Sequence, residues 1–448
     1  MSTSTSDRTY LDAAERIFKH VAEKVDANIS IRLWDGSFIP LGENATEQWH
    51  ISISGPDVLG ALLRRPTLES FLRHYAAGNI DFLGGDLIEF YEVLRSRGAK
   101  TRGVSSGRIK KRLDKWFLLK NAFPFLFVKE SDLGLTHRYQ GDHKGRIKAA
   151  RDEKAFIQFH YDLSNEFYKL FLDPEMQYSC AYFSSWTEEL AQAQQNKLDM
   201  ICRKLQLQPG DRFLDIGCGW GGLLCHAAKE YQVIGHGVTL SQKQHDFAVA
   251  KVQRLGLADR VTIELRDYRE LTGEYDKIAS IGMYEHVGIA NYTTYFTKLK
   301  SLLRERGILL NHGITRPAKR SKWQFSRLTP ERRFILKYIF PGTELDHIGH
   351  TLSEIEACGF EVHDVEGWRE HYALTTRLWC RRLEARKEEA IGLVGEERFR
   401  MWIAYLAGVS FAFQDGSLGV FQTVATKRGK KDLSNMPPTR EHLYLKNT

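Results

Sequence analysis

The sequence predicts an α/β protein: a mostly parallel, doubly wound sheet with a small α+β domain ahead of it. Three observations carry this. From about residue 150, short apolar runs alternate with helical patterns, in the order RFLDIGCG, QVIGHGVTLS, VTIELRDY, KIASIGMYEHVG and GILLNHGIT. Such alternation argues for parallel strands joined by crossover helices on both faces. A glycine-rich turn follows the first of these strands, and in doubly wound sheets the ligand sits at that edge, near the switch in strand order. The first hundred residues differ in texture, mixing short strands with short helices.

Taken in order, residues 1–100 form the small α+β domain. ISIRLWDGSFIPLG (29–42) predicts two strands around an Asp35-Gly36 turn. QWHISISG adds a third strand. PDVLGALLRRPTLESFLRHYAAG and DLIEFYEVLRSRG carry helical apolar spacing. Residues 101–150 form a basic linker, and from Arg95 to Lys154 there are 17 Lys or Arg against 6 Asp or Glu. Inside it, RIKKRLDKWFLLKNAFPFLFV (108–128) is basic in front and aromatic behind. Such a segment can lie on lipid with Trp116, Phe117, Phe123 and Phe125 in the acyl boundary, or pack as a linker helix. Residues 151–430 form the sheet domain, with GFEVHDVEGW and GVFQTVATK as its last strands, and 431–448 a tail.

With 448 residues and 42% hydrophobic content, the chain can bury two cores. Mean hydropathy is −0.39 and no apolar run has the length of a membrane span. The first residues lack a secretory pattern, so a cytoplasmic protein is expected. Six cysteines, at 180, 202, 218, 225, 358 and 380, form no C-x-x-C pair, and no zinc-type spacing is present. The net charge of +8 suits an anionic partner. No RNP-like or helix-turn-helix pattern accompanies it, which favours an acidic membrane surface over nucleic acid.

FLDIGCGWGG (213–222) places Asp215, Gly217, Gly219, Gly221 and Gly222 at a strand-to-helix turn. Gly217, Gly219 and Gly222 satisfy the dinucleotide pattern. Asp215, just before the first glycine, would repel a pyrophosphate and suits a cationic ligand. The second strand ends in GVTLSQKQ, where Thr239 and Gln244 supply polar groups for a ribose. The third ends in RDYRE, where Asp267 can pair with an adenine amino group and Tyr268 can cover its face. Together these point to S-adenosylmethionine, whose sulfonium and ammonium are positive.

HYDLSNEFYKLFLDPEMQYSCAYF (160–183), LDIGCGWGG, GVTLS-x-x-Q, GMYEHVG and HYALTTRLW (371–379) resemble the cyclopropane-fatty-acyl-phospholipid synthases and their mycolic acid cyclopropane synthase relatives. The resemblance covers about 150–430 and implies a Rossmann-like class I methyltransferase fold. It implies methylene transfer from S-adenosylmethionine across a cis double bond of a lipid acyl chain, with bound bicarbonate as the base. The residues matching the family's bicarbonate set are Cys180, Glu285, His312, Tyr372 and the backbone near Ile314. Those matching its cofactor set add Tyr178 and Ser179 to the loop glycines, Thr239, Gln244 and Tyr268. The rings of Tyr161, Phe183 and Tyr372 can face a cation. Phospholipid-acting members carry an extra N-terminal domain, so its presence favours phospholipid at the inner face of the membrane. Members are often homodimers.

Two departures stand out. Tyr268 occupies a position where many relatives have Trp. LNHGIT replaces LLHTI, and Gly313 with Asn311 would open space, or add an amide, beside the bicarbonate pocket. Alternatives are a methyl- or methylene-branched or polyunsaturated-chain product, a small-molecule O- or N-methyltransferase, and a lipid carrier with a vestigial methyltransferase domain.

Overall fold

The computed structural model describes residues 5–95, 114–142, 153–161, 163–429 and 433–444. The basic front of the linker segment, residues 108–113, lies outside these, as does the side chain of Tyr161. The chain divides into two compact units. One comprises Met1–Arg138, Thr329–Phe334 and Leu383–Ala407; the other comprises Tyr139–Leu328, Ile335–Arg382 and Gly408–Thr448.

The first unit holds a four-stranded sheet of β1 (Ile29–Arg32), β2 (Phe38–Pro40), β3 (Thr46–Ile53) and β4 (Ile80–Leu83), in the order β2-β1-β3-β4. The hairpin turns where expected, with Gly36 at φ 90° and Asp35 accepting from the Ser37 amide. β4 was not anticipated. It is four residues long and bounded by Gly78 and Gly84, too short for a periodic signal. Ala13, Ala14 and Ile17 of the helix Thr5–Val25 close the core over Ile29, Ile31, Val58 and Phe90.

The linker segment becomes a helix, Lys115–Ala122, capped by the Asp114 carboxylate, followed by a 3₁₀ turn, Phe123–Phe127. Its four named aromatics divide. Phe125 is fully buried in the unit's core and unavailable to a lipid surface, while Phe117 is half-buried with its ring tilted against His20 at 4.6 Å. Trp116 (74% exposed) and Phe123 stand in solvent, joined by Leu119 and Phe127 (78%).

The second unit is built on β5 (Arg212–Ile216), β6 (Ile234–Thr239), β7 (Val261–Leu265), β8 (Tyr275–Ile281), β9 (Leu303–Thr315), β10 (Phe360–Gly367) and β11 (Gly419–Lys427). Their order is β10-β11-β9-β8-β5-β6-β7. β9, β8, β5, β6 and β7 run parallel, while β11 inserts antiparallel between β9 and β10. The order reverses at β5, whose neighbours are β6 and β8, so the crevice opens where their carboxyl ends diverge. β8 is buried along six of its seven residues, as a strand covered on both faces must be. Among the described residues, no helix is long and apolar enough to cross a membrane.

Candidate active site

A cleft lies at the carboxyl ends of β5, β6 and β8. Tyr178, Ser179, Asp215, Gly217, Gly219, Thr239, Gln244 and Tyr268 all line it. Gly217 takes φ 77° and Gly219 φ 55°, conformations that a side chain strains. A Cβ on Gly222 would run into the Gln177 side chain, so the loop packs directly on that segment. Thr239 Oγ1 donates to Gln244 Oε1 at 2.9 Å, and Ser241 caps the helix Gln242–Arg254 that carries Gln244. Tyr268 is held edge-on by Tyr295 at 5.4 Å.

Asp267 does not join the lining. Its carboxylate caps the turn Tyr268–Glu270 and pairs with Arg269 at 2.6 Å, which occupies the group expected to meet an adenine amino group.

Asp215 is 2% exposed, and its Oδ1 has no hydrogen-bond partner in the protein. Burial pushes its carboxyl up to about 7, with the nearby Lys197 cation pulling the other way. Lys197 also lines the cleft. It donates to Ser179 Oγ at 3.1 Å and to Gln177 Oε1, and burial lowers it to about 8 against Asp173, Cys180 and Asp215. A buried acid beside a buried cation matches a ligand with both an ammonium and a carboxylate. The cleft therefore fits the amino-acid end of S-adenosylmethionine.

Sequence reasoning missed Lys197, because a lysine in a helix is ordinarily solvated. Its signal was its position. In the helix Leu190–Lys204, residues 190, 193, 197, 201 and 204 share one face, and that face is buried.

A second group forms beside the cleft on β8 and β9. Glu285 lies in the short helix Tyr284–Val287 just beyond β8. Its Oε1 accepts from the Ile314 amide at 2.6 Å, and its Oε2 is buried without a partner. Burial pushes Glu285 up to about 7, with the Ile314 amide opposing. His312, two residues earlier on β9, is 1% exposed. Its carbonyl accepts from Gly282 N–H at 2.8 Å, tying β9 to the end of β8. Its Nδ1 meets Gln422 Nε2 at 3.1 Å, and its Nε2 is buried without a partner. Burial lowers it to about 3, helped by Lys197 and Lys204, so the imidazole is neutral. The Trp368 ring meets it edge-on at 5.6 Å.

Trp368 links the other two members. Its carbonyl lies 3.7 Å from Cys180 Sγ and accepts from the Tyr372 amide one helical turn on. Burial pushes the Cys180 thiol far up, so it stays protonated, and its S–H faces Ala181 O at 3.3 Å. The S–H is thus directed at backbone carbonyls and not at an anion. Tyr372 stacks on Phe413 at 4.6 Å. The Ile314 amide, too, is held by Glu285.

The expected space at Gly313 is not there. A Cβ on Gly313 would fall inside the Tyr284 ring, whose hydroxyl donates to Ile314 O at 3.3 Å. Gly313 and Asn311 also point to the sheet face opposite His312, because side chains alternate along a strand. Neither adds room or an amide on the His312 side.

The sequence model of the family described as Mycolic acid cyclopropane synthetase matches residues 148–423. A "Probable fatty acid methyltransferase" of Pseudomonas putida is 37% identical over 93% of this chain and 96% of its own length. The cyclopropane-fatty-acyl-phospholipid synthase of Escherichia coli is 40% identical over 60% of this chain and 66% of its own. The crystal structure of mycolic acid cyclopropane synthase CmaA1 complexed with SAH and CTAB superposes with a TM-score of 0.58 at 36% identity. It covers 61% of this chain and 98% of that one. The chain belongs to the mycolic acid cyclopropane synthetase family and is an S-adenosylmethionine-dependent methyltransferase of the cyclopropane-fatty-acyl-phospholipid synthase type.

Proposed function

We propose that this methyltransferase adds a methylene across a cis double bond of an unsaturated phospholipid acyl chain, closing a cyclopropane ring with bicarbonate as the base. One observation carries the reading. Glu285 Oε2 and His312 Nε2 are both buried and unpartnered, on segments tied together by the Ile314 and Gly282 amides. Unpaired buried polar atoms are costly, and a small oxyanion with one O–H would satisfy both. His312 offers N–H to an oxygen and Glu285 accepts the O–H.

S-adenosylmethionine supplies the electrophilic methyl group, and bicarbonate supplies the proton acceptor. The chain's own residues bind, orient and keep the site dry. Asp215 would face the ammonium and Lys197 the carboxylate of the methionine part. Glu285 directs the base without taking the proton itself. The burial of Cys180, Glu285, His312 and Tyr372 keeps water from a carbocation. The faces of Tyr372 and Phe183 offer it negative quadrupoles.

Peripheral docking at the inner membrane face is supported by the exposed Trp116, Leu119, Phe123 and Phe127 with the exposed Lys120 and Lys129 beside them. The name of the Pseudomonas putida relative, a probable fatty acid methyltransferase, also leaves room for a second reading, a methyl- or methylene-branched product.

The test is product identification. Purified protein, S-adenosylmethionine, bicarbonate and mono-unsaturated phosphatidylglycerol vesicles should yield an acyl chain heavier by one methylene, with cyclopropane proton resonances. Vinyl or branched-methyl resonances would favour the second reading, and unchanged lipid would refute both.

A further inference from the structure

We propose that Lys204 and Gln422 are positioning residues that hold His312 in the Nε2–H tautomer, so that it presents a donor and not a base to the reaction. The proposal rests on the anion-holding role given to His312 above.

Gln422 stands directly opposite His312 in the antiparallel β9–β11 pair and is fully buried. Lys204 closes the helix Leu190–Lys204 and is 1% exposed. Its Nζ meets Gln422 Oε1 at 2.7 Å, pairs with the Glu366 carboxylate, and lies 5.0 Å over the Trp368 ring. An ammonium has donors and no acceptor. The Gln422 atom facing Lys204 must therefore be its carbonyl oxygen. The amide nitrogen is then the end that faces His312 Nδ1, at 3.1 Å. An NH₂ group donates, so Nδ1 must be the unprotonated acceptor. A neutral imidazole carries one proton, which leaves it on Nε2.

Each link follows from the charge of the one before. The Glu366–Lys204 ion pair fixes the amide, and the amide fixes the ring. Nε2, buried and unpartnered, is left as an N–H. The other tautomer would turn a lone pair toward an anion and repel it. The same cation also disfavours protonation of His312, so the ring donates one hydrogen bond and does not compete for the substrate's proton.

The test sets polarity against packing. Gln422→Glu nearly preserves volume and still pairs with Lys204, but it turns an acceptor toward Nδ1 and draws the proton there. Gln422→Leu removes the amide and leaves both tautomers accessible. The expected loss of kcat is at least about 30-fold for Gln422→Glu and about 3- to 10-fold for Gln422→Leu, with KM for S-adenosylmethionine within about 3-fold in both. A packing role gives the reverse order, with Glu near wild type, and would overturn the proposal.

¹⁵N NMR of histidine-labelled wild-type protein, with His312 identified by its loss in His312→Gln, reads the tautomer without reference to activity. Protonated Nε2 supports the inference; protonated Nδ1 overturns it, whatever the variants do. If the tautomer is as proposed and flips in Gln422→Glu while kcat is unchanged, the anion-holding role of His312 fails and the tautomer assignment stands.

Discussion

The cofactor cleft at β5, β6 and β8 and the buried polar group around Glu285 and His312 differ in how their polar atoms are satisfied. In the cleft several groups already have partners: Thr239 on Gln244 and Ser179 on Lys197. Asp215 Oδ1 is the exception among the expected cofactor residues. In the second group, Glu285 and His312 each bury an unpartnered atom, and both are displaced far from their ordinary protonation ranges. A preformed, satisfied cleft suits a ligand that binds and leaves every cycle. Two unsatisfied buried atoms are what the proposed bicarbonate would complete.

The largest expected effect is on stability against pH. Burial raises the folded Glu285 carboxyl from 4.5 to about 7. Its contribution is favourable below pH 4.5 and is lost as pH rises through 7. Glu285→Gln should match wild type near pH 4 and exceed it by up to about 3 kcal/mol at pH 8. Urea titrations at the two pH values check this, and a pH-independent difference would break the picture of a strained buried acid.

Next is the packing around Gly313. Gly313→Thr forces a Cβ into the Tyr284 ring and should cost about 1–3 kcal/mol. Adding Tyr284→Ala should return part of that in thermal melts, and a neutral Gly313→Thr would mean that Tyr284 moves freely.

In the cleft, Asp215→Asn should weaken S-adenosylmethionine binding about 10-fold at pH 8, or about 1.4 kcal/mol. The deficit should shrink at pH 6, because the wild-type carboxyl, raised to about 7, is then mostly protonated. Calorimetry at both pH values measures it.

The smallest effect lies outside both regions. Replacing exposed Trp116 and Phe127 with Ser should lower affinity for anionic vesicles several-fold in flotation assays and leave the chemistry on detergent-dispersed lipid unchanged.

The same contrast explains what was legible in the sequence. The cleft is largely local. Asp215, the glycines, Thr239 and Gln244 fall within thirty residues, and the need for unusual backbone angles leaves a glycine signature. All the sheet strands of the second unit were legible from their apolar runs. No local pattern connects residues 180, 285, 312 and 372, and only the family resemblance singled them out together; in the structure Trp368 touches Cys180, His312 and Tyr372, and Glu285 holds the Ile314 amide. Lys204 and Gln422 were invisible for a related reason. A lysine on an apolar helix face and a glutamine in the strand GVFQTVATK acquire meaning through β9–β11 register. Lipid contact and inward packing stayed open for Phe125 because an aromatic run does not reveal which ring turns inward. Gly313 misled because the ring that fills its space comes from another segment.

The central claim is that cofactor binding and base positioning are separable. Glu285→Gln tests it most directly, with S-adenosylhomocysteine affinity by calorimetry and single-turnover methylene transfer measured on the same preparation. The account predicts affinity within about 3-fold of wild type and turnover slower by about 100-fold or more. Parallel loss of both, or turnover near wild type, would contradict it.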